Sequence, residues 1–425
     1  MNMPFSGVHE LHDVCNAREQ GLSGDGTTND QPALAALVER LGAGFASDGR
    51  PRVIYCPPGN YLIADGVTIW RSGVSLIGAT AGATRFVLAN PNSGEPVPLA
   101  RFTEKLDGAS TANYLSDCTF AYFEIEGSRI ELKKYDTRAK GLDLQYMVRG
   151  TFRDIHIFKT AATGLGCDHL QDTVMEDVMA VDCGRLNDGS QPGGAGIGVG
   201  VGGWGAIERL SLNDCICTGN ATNGIFVELQ KGKWPPPRGI KITGGHCVGN
   251  RFGISDWGAD GLVVTACVMC ENHDVGFDVS ARGVAGVGGR GGLLTGCTID
   301  GNGRDGVAIG NTEGPYSVRG NRISNNVRHG YYQHNVEADD KAAREITIEN
   351  NEIWGNGQDG IRLDAPTVDA SIVWNRICNN AAAGIAVAAP TSRAWIRSNR
   401  IWQRHTHDVW LGAETRDCRI DDNGR

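Results

Sequence analysis

One short phrase dominates what this chain can fold into. From residue 141 onward the pattern glycine, apolar, any, apolar, any returns again and again. The copies read GLDLQ (141–145), GLGCD (164–168), GIGVG (196–200), GIFVE (224–228), GISDW (253–257), GFDVS (276–280), GVAIG (306–310), GYYQH (330–334), GIRLD (360–364) and GIAVA (384–388), with DVWLG (408–412) as the last. Successive copies start 23 to 32 residues apart. Between them a second strand-length segment recurs and usually ends in asparagine, as in LSLNDCICTGN, YSVRGNRISNN and ITIENNEIWGN. Alternating segments broken by Gly and Asn at such a period specify a parallel β-solenoid, each period being one coil of two or three strands. Coils then stack ~4.8 Å apart through backbone hydrogen bonds. The apolar phrase positions (Leu142, Leu144, Ile225, Val227, Ile361, Leu363) point inward and the third and fifth point out. Asn321, Asn351 and Asn375 are expected to stack in an internal ladder, with Cys215, Cys267 and Cys297 in the same register of earlier coils. A leucine-rich repeat is excluded, because its leucine spacing and helical half are missing.

The expected fold class is therefore all-β: residues 1–50 form an amino-terminal segment with a capping helix, and residues 51–425 a parallel β-helix. The helix is placed near 30–42, after a cap at Asn29 or Asp30, by Ala/Leu/Val at helical spacing. RVIYCPPGNYLI (52–63) and VSLIGA (74–79) read as strands of the first coils. Glycine makes up 60 of 425 residues but has no three-residue period, which excludes collagen. A net charge of −9 without a Lys/Arg stripe argues against a nucleic-acid partner, and no apolar run is long enough for a membrane span. Thirteen cysteines in a chain with no visible leader read as reduced thiols. Location is left open between cytoplasmic, virion-associated and leaderless export. CVMC (267–270) has no partner motif at zinc spacing, so its sulfurs are assigned to packing, and no metal or cofactor is expected.

Chemistry is sought on the outward positions. Asp168 and Glu228 stand two coils apart, with Gly198 and Gly200 between them. Their Cα atoms should lie roughly 10 Å apart, within reach of an acid–base pair. The glycines either admit a ligand to the backbone or relieve crowding between coils. Trp204 and Trp257 flank the gap as stacking platforms for sugar rings, and Gln145 and Asp143 lie one coil before Asp168. The loop 230–239 adds Lys233, Trp234 and Arg238 as a groove wall, alongside Lys231. Four coils further on, Tyr332, His334, Arg362 and Asp364 form a second outward cluster with base and carboxylate-neutralising groups. Asp256, Tyr331 and Gln333 fall on inward positions, which implies a local bulge or slip. His405 and His407 are assigned to a terminal loop rather than a metal site.

GDGTTND (24–30) before a helix and PPGNY (57–61) in the following strand resemble the opening of the pectate-lyase-like right-handed parallel β-helix superfamily. The resemblance covers nearly the whole chain and implies ten or more right-handed coils. It also implies a carbohydrate partner, and a homotrimer as in many relatives. Members include polysaccharide lyases, glycosidases, alginate C-5 epimerases, inulin fructotransferases and phage tailspikes. GLGCDHLQDT (164–173) resembles the alginate-epimerase pattern G-Y-G-F-D-P-H-E through Asp168 and His169, with Leu165 in place of the tyrosine and no proline. The next coil brings Gly200 where that family has a second aspartate. NDCICTGNATNGIFVEL (213–229) resembles the inulin-fructotransferase stretch through Asp214 and Glu228. The leading expectation is a glycosidase or transglycosidase using Asp168 and Glu228. A uronate lyase or epimerase using Asp168 and His169, or the Tyr332 cluster, is the second. A non-catalytic glycan-binding tailspike module is the third.

Overall fold

Every phrase copy becomes a strand of one parallel sheet. In the computed structural model, which describes residues 14–205, 207–230, 238–279, 291–310, 314–334, 342–403 and 407–424, this sheet has 13 strands. It runs from Ala100–Phe102 through Leu142–Val148, Leu165–Gln171, Ile197–Val201, Asn223–Leu229 and Phe252–Trp257 to Val409–Leu411. The pairing is in register, with Leu142 on Leu165, Leu165 on Ile197 and Ile197 on Ile225. Leu142, Leu144, Ile225, Val227, Ile361 and Leu363 are all fully buried. The intervening segments supply two further strands per coil, such as Leu210–Asn213 and Ile216–Thr218, and these stack into a 27-stranded parallel sheet. The result is a right-handed parallel β-helix with three faces.

A single left-handed residue makes the corner between the second and third strands. Asp177, Asp214, Ala266, Asn350, Trp374 and Ser398 all take φ near 55° there, and Gly244 takes the same corner in its coil. Just inside that corner stands the expected ladder. Asn321 donates to Asn351, Asn351 to Asn375 and Asn375 to Asn399, each at 2.9–3.0 Å through the side-chain amide. Cys297 enters the same column through its N–H on Asn321. A second ladder, through Asn250, Asn272, Asn302, Asn326 and Asn356, lines another corner. The Asn250, Asn272 and Asn302 amides also serve backbone carbonyls, at about 1 kcal/mol per bond. The thirteen cysteines are all free thiols.

The expected slip at Asp256, Tyr331 and Gln333 does not occur. Val227 pairs with Asp256 and Ile309 with Gln333 in unbroken register. The polar groups are accommodated inside instead. Asp256 Oδ1 accepts from the Gly258 and Ala259 N–H groups, Tyr331 donates to Gln333, and Gln333 donates to the Gly310 carbonyl.

The amino-terminal helix runs Gln31–Asp48, longer than the expected 30–42, because Gly42 and Gly44 do not stop it. A Cβ on Gly42 would come within 2.3 Å of Arg71, so that glycine lets the helix seat tightly on the first coils. The helix ends where Gly49 turns left-handed and caps Phe45. Leu34, Leu37, Val38 and Leu41 are its buried stripe. Asp30 is the first cap residue but does not bond the helix: its carboxylate accepts from Ser23 and Gly24 N–H, while Asn29 accepts from Gln31. Among the described residues no helix is long and apolar enough to cross a membrane.

Candidate active site

A groove of about 800 Å³ opens over the first sheet at the coils carrying Asp143, Asp168, Gly200 and Glu228. The repeat supplies its floor. Its walls come from long insertions between strands, contributing Thr103–Leu106, Asp136–Lys140 and Pro192–Gly193. The wall is tied to the floor where Glu104 N–H donates to Gln145 (2.7 Å).

The floor is a chain of paired charges. Arg101 meets Asp143 at 3.3 Å, and Lys140 meets Asp143 at 3.0 Å and Asp168 at 3.9 Å. Gln145 donates to Asp168 at 3.2 Å. Burial works to lower the Lys140 ammonium, but Asp143 and Asp168 outweigh it and hold it above its ordinary value. Glu228, on the far side of Gly200, accepts from Gln230 at 2.7 Å. Burial, and then the Asp168 carboxylate, push Glu228 up to about 7, against the Gln230 bond and the Lys140 charge. The groove thus sets a carboxylate beside an ammonium, opposite a second acid that holds its proton near neutrality.

Two outward glycines make this arrangement possible. A Cβ on Gly166 would lie 2.3 Å from the Lys140 side chain, and one on Gly200 would lie 2.2 Å from Asp168 Oδ1 and 2.7 Å from Gln230. Both vacated spaces are filled by neighbouring side chains, so Gly200 relieves crowding between coils. Gly198 alone stays open to the groove, its nearest neighbour being Thr163 at 3.3 Å.

His169 follows Asp168 on a left-handed backbone and is buried at the groove edge. Its Nδ1 meets the Gly202 carbonyl and its ring packs on Tyr146. The carbonyl can only accept, so Nδ1 carries the proton in this contact. Trp204, expected to stack on sugar, instead donates to the His169 carbonyl (2.8 Å) and packs edge-on against Tyr114 and Tyr146. Trp257 sits one coil above Glu228, edge-on to Phe226, which lines the groove. Arg238 lies away from the lining, in an ion pair with Asp260 (2.7 Å). Lys231, Lys233, Trp234 and His405 lie outside the described residues. Asp214, the fructotransferase-like aspartate, occupies a left-handed corner between the second and third strands and does not meet Glu228.

The second cluster lies four coils on and is internally committed. Arg362 pairs with Asp359 and Asp364, each at 3.2 Å, and Tyr332 donates to Asp364. Tyr332 stacks between His329 and His334 under Arg328. Burial lowers His334 to about 4, while burial and then Asp364 raise the Tyr332 phenol. Neither is poised as a base near neutrality.

The sequence reading missed Lys140, Arg101, Gln230 and Glu208. Lys140 directly precedes the phrase GLDLQ and faces Gly166, so a glycine at an outward position was its one visible trace. Glu208 is buried under the loop that follows Val201; burial raises it to about 8, although it accepts from the Gly202 N–H at 2.7 Å.

Comparison with known proteins adds a lineage. Two mannuronan C5-epimerases of Azotobacter vinelandii, AlgE3 and AlgE1, are 31% and 30% identical to this chain over 113 residues. That stretch is 25% of this chain and only 6% and 8% of the respective epimerases. The A-module of mannuronan C-5 epimerase AlgE4 from the same organism superposes with a TM-score of 0.53 at 16% identity, covering 97% of this chain and 96% of the module. The catalytic unit of an α-1,3-glucanase from Streptomyces thermodiastaticus gives 0.64 at 12% identity, over 98% of this chain and 69% of that one. A model of the periplasmic copper-binding protein NosD matches residues 210–409. Among the described residues, no group of three His, Cys, Asp or Glu side chains is placed to hold a metal ion. The model that describes rhamnogalacturonase A/epimerase, pectate lyase-like proteins matches residues 14–244, more than half the chain and the whole of the groove, and the protein belongs to that family.

Proposed function

We propose that the protein is a polysaccharide-acting enzyme that cleaves or transfers glycosidic bonds, with Glu228 as general acid and Asp168 as general base. The observation that carries this reading is the pairing of the two carboxyl groups across Gly200 in one groove, with Glu228 raised to about 7. Glu228 then holds a proton for the leaving glycosidic oxygen at neutral pH. Asp168, attended by Lys140 and Gln145, takes the proton of a water or sugar hydroxyl on the opposite side. Two coil steps separate the Cα atoms by roughly 10 Å, and Asp168 leans over Gly200. Phe226 and Trp257 offer apolar surface for a sugar ring beside Glu228. The test is a panel of neutral and acidic polysaccharides, read by reducing-end release. Asp168→Asn and Glu228→Gln should each lower turnover ~10²–10⁴-fold with the fold intact. Full activity in either variant defeats the assignment.

A second reading is favoured by one feature, the Lys140 ammonium set between Asp143 and Asp168 in the groove. It suits the neutralisation of a uronate carboxylate, and the local identity to mannuronan C5-epimerases points the same way. Under that reading, acidic polymers acquire solvent deuterium at C-5 or an ultraviolet-absorbing double bond, without hydrolytic reducing ends. No turnover on any polymer would instead leave glycan binding alone.

A further inference from the structure

Five of the nine tryptophans lie between residues 354 and 410, far from the groove along the chain. On the third face, strands Arg322–Ser324, Glu352–Trp354, Arg376–Cys378 and Arg400–Trp402 stack in register. Their outward residues form two parallel columns. One reads Arg322, Glu352, Arg376, Arg400; the other alternates small and large, with Trp354 and Trp402 on either side of Cys378. The two indoles are two coils apart, roughly 10 Å, and a shallow concavity of about 240 Å³ lies beside Trp354, lined also by Arg322, Glu352, Arg376 and Cys378. Arg322 sits over Trp354 at 5.4 Å, and Arg376 and Arg400 flank Trp402 at 5.3 and 5.5 Å. Three guanidinium groups stand against one carboxylate in this column, on a protein whose net charge is −9. Around the adjoining corner Trp374 and Trp395 are 54% and 46% exposed, so the apolar character continues.

We propose that this face is a second, non-catalytic binding site for an anionic polysaccharide chain running along the helix axis. Indole faces take sugar rings, and the two-coil spacing matches the rise of about one disaccharide in an extended chain. Arg322 and Arg376 already meet Glu352 at 3.8 and 3.7 Å, so a ligand carboxylate shares this column with Glu352, and arginine held on a ring presents it a planar fork. Its place on a different face from Glu228 makes it an anchor for the same polymer rather than a subsite of the groove. The proposal rests on the polysaccharide-acting reading.

The test is affinity electrophoresis of the full chain through gels holding polygalacturonate, alginate or dextran. The variants are Asp168→Asn, the double variant Arg376→Ala with Trp402→Ala, and the single charge reversal Arg400→Glu in case the double variant unfolds. Wild type and Asp168→Asn should be retarded by the acidic polymers and not by dextran. The face variants should lose that retardation, with a roughly tenfold or larger rise in Kd, while turnover of a short oligosaccharide is kept. Undiminished retardation of folded face variants, equal retardation by dextran, or no retardation of wild type would overturn the proposal. So would stronger retardation by single-stranded DNA, or a light-scattering mass that falls to 45.3 kDa in the face variants alone, which marks a subunit interface. Failure of the catalytic assignment appears separately, as unchanged turnover in Asp168→Asn.

Discussion

Replacing Glu228 by glutamine removes one ionisation and little else, because the amide keeps the shape that meets Gln230. The folded protein raises this carboxyl from 4.5 to about 7, first through burial and then through Asp168. At ~1.4 kcal/mol per pH unit that gap is worth about 3 kcal/mol at most, and about 1–2 after screening by solvent in the groove. The sign follows from linkage. Below pH 4.5 both folded and unfolded chains hold the proton and Glu228 costs nothing. Between 4.5 and 7 the unfolded chain releases it first, so wild-type stability falls as pH rises. Above 7 both states are ionised and the loss is complete. Glu208 and Asp256, raised to about 8 and 7, tilt the wild-type profile in the same sense, so the informative quantity is the difference between variant and wild type. Urea denaturation across pH 4–8.5 should show Glu228→Gln gaining on wild type by about 1–2 kcal/mol over the middle of that range, then levelling. In the same window kcat/KM of wild type should fall above about pH 7, as the acid loses its proton. Parallel stability profiles for the two proteins would refute the claim that the groove, rather than open water, surrounds this carboxyl.

Three further outcomes follow from the packing. Gly200→Ala would set a methyl group 2.2 Å from Asp168 Oδ1, so it should displace that carboxylate, cost ~1–3 kcal/mol in thermal or urea stability and reduce turnover sharply. Lys140→Met would leave Asp143 and Asp168 without their shared ammonium, and should cost about 3–5 kcal/mol at neutral pH, read by urea denaturation. Asn351→Ala would leave the Val318 carbonyl and the Asn321 N–H unpartnered inside the coil, and should lower the urea midpoint by the equivalent of about 2–4 kcal/mol.

The fold was legible because a solenoid repeats its physics. Inward apolar residues recur through eleven phrase copies, and the one-residue corner and the asparagine ladders through many of the coils, so the pattern outvotes a local irregularity such as Asp256 inside the barrel. The same pattern placed Asp168 and Glu228, since register alone sets outward residues above one another. The groove walls were not legible, because Thr103–Leu106 and Asp136–Lys140 belong to insertions that obey no period. Trp204 was misread for a related reason: an indole beside a glycine-rich turn serves equally as a platform or a prop, and its N–H bond to the His169 carbonyl makes it a prop.

The outward glycines carry the deeper lesson. A missing side chain on a solenoid face suggests room for a ligand, yet the rooms at Gly166 and Gly200 are already let to Lys140 and Asp168. Because coils stack ~4.8 Å apart, an outward side chain must share its space with those above and below. A glycine in one coil allows the side chain of the neighbouring coil to lie flat across it rather than stand up into solvent. Lying flat is what buries Lys140 between two carboxylates and carries the Asp168 carboxyl toward Glu228. On such a face the glycine therefore marks where neighbouring polar groups converge, and the chemistry belongs to the residues one coil before and one coil after it.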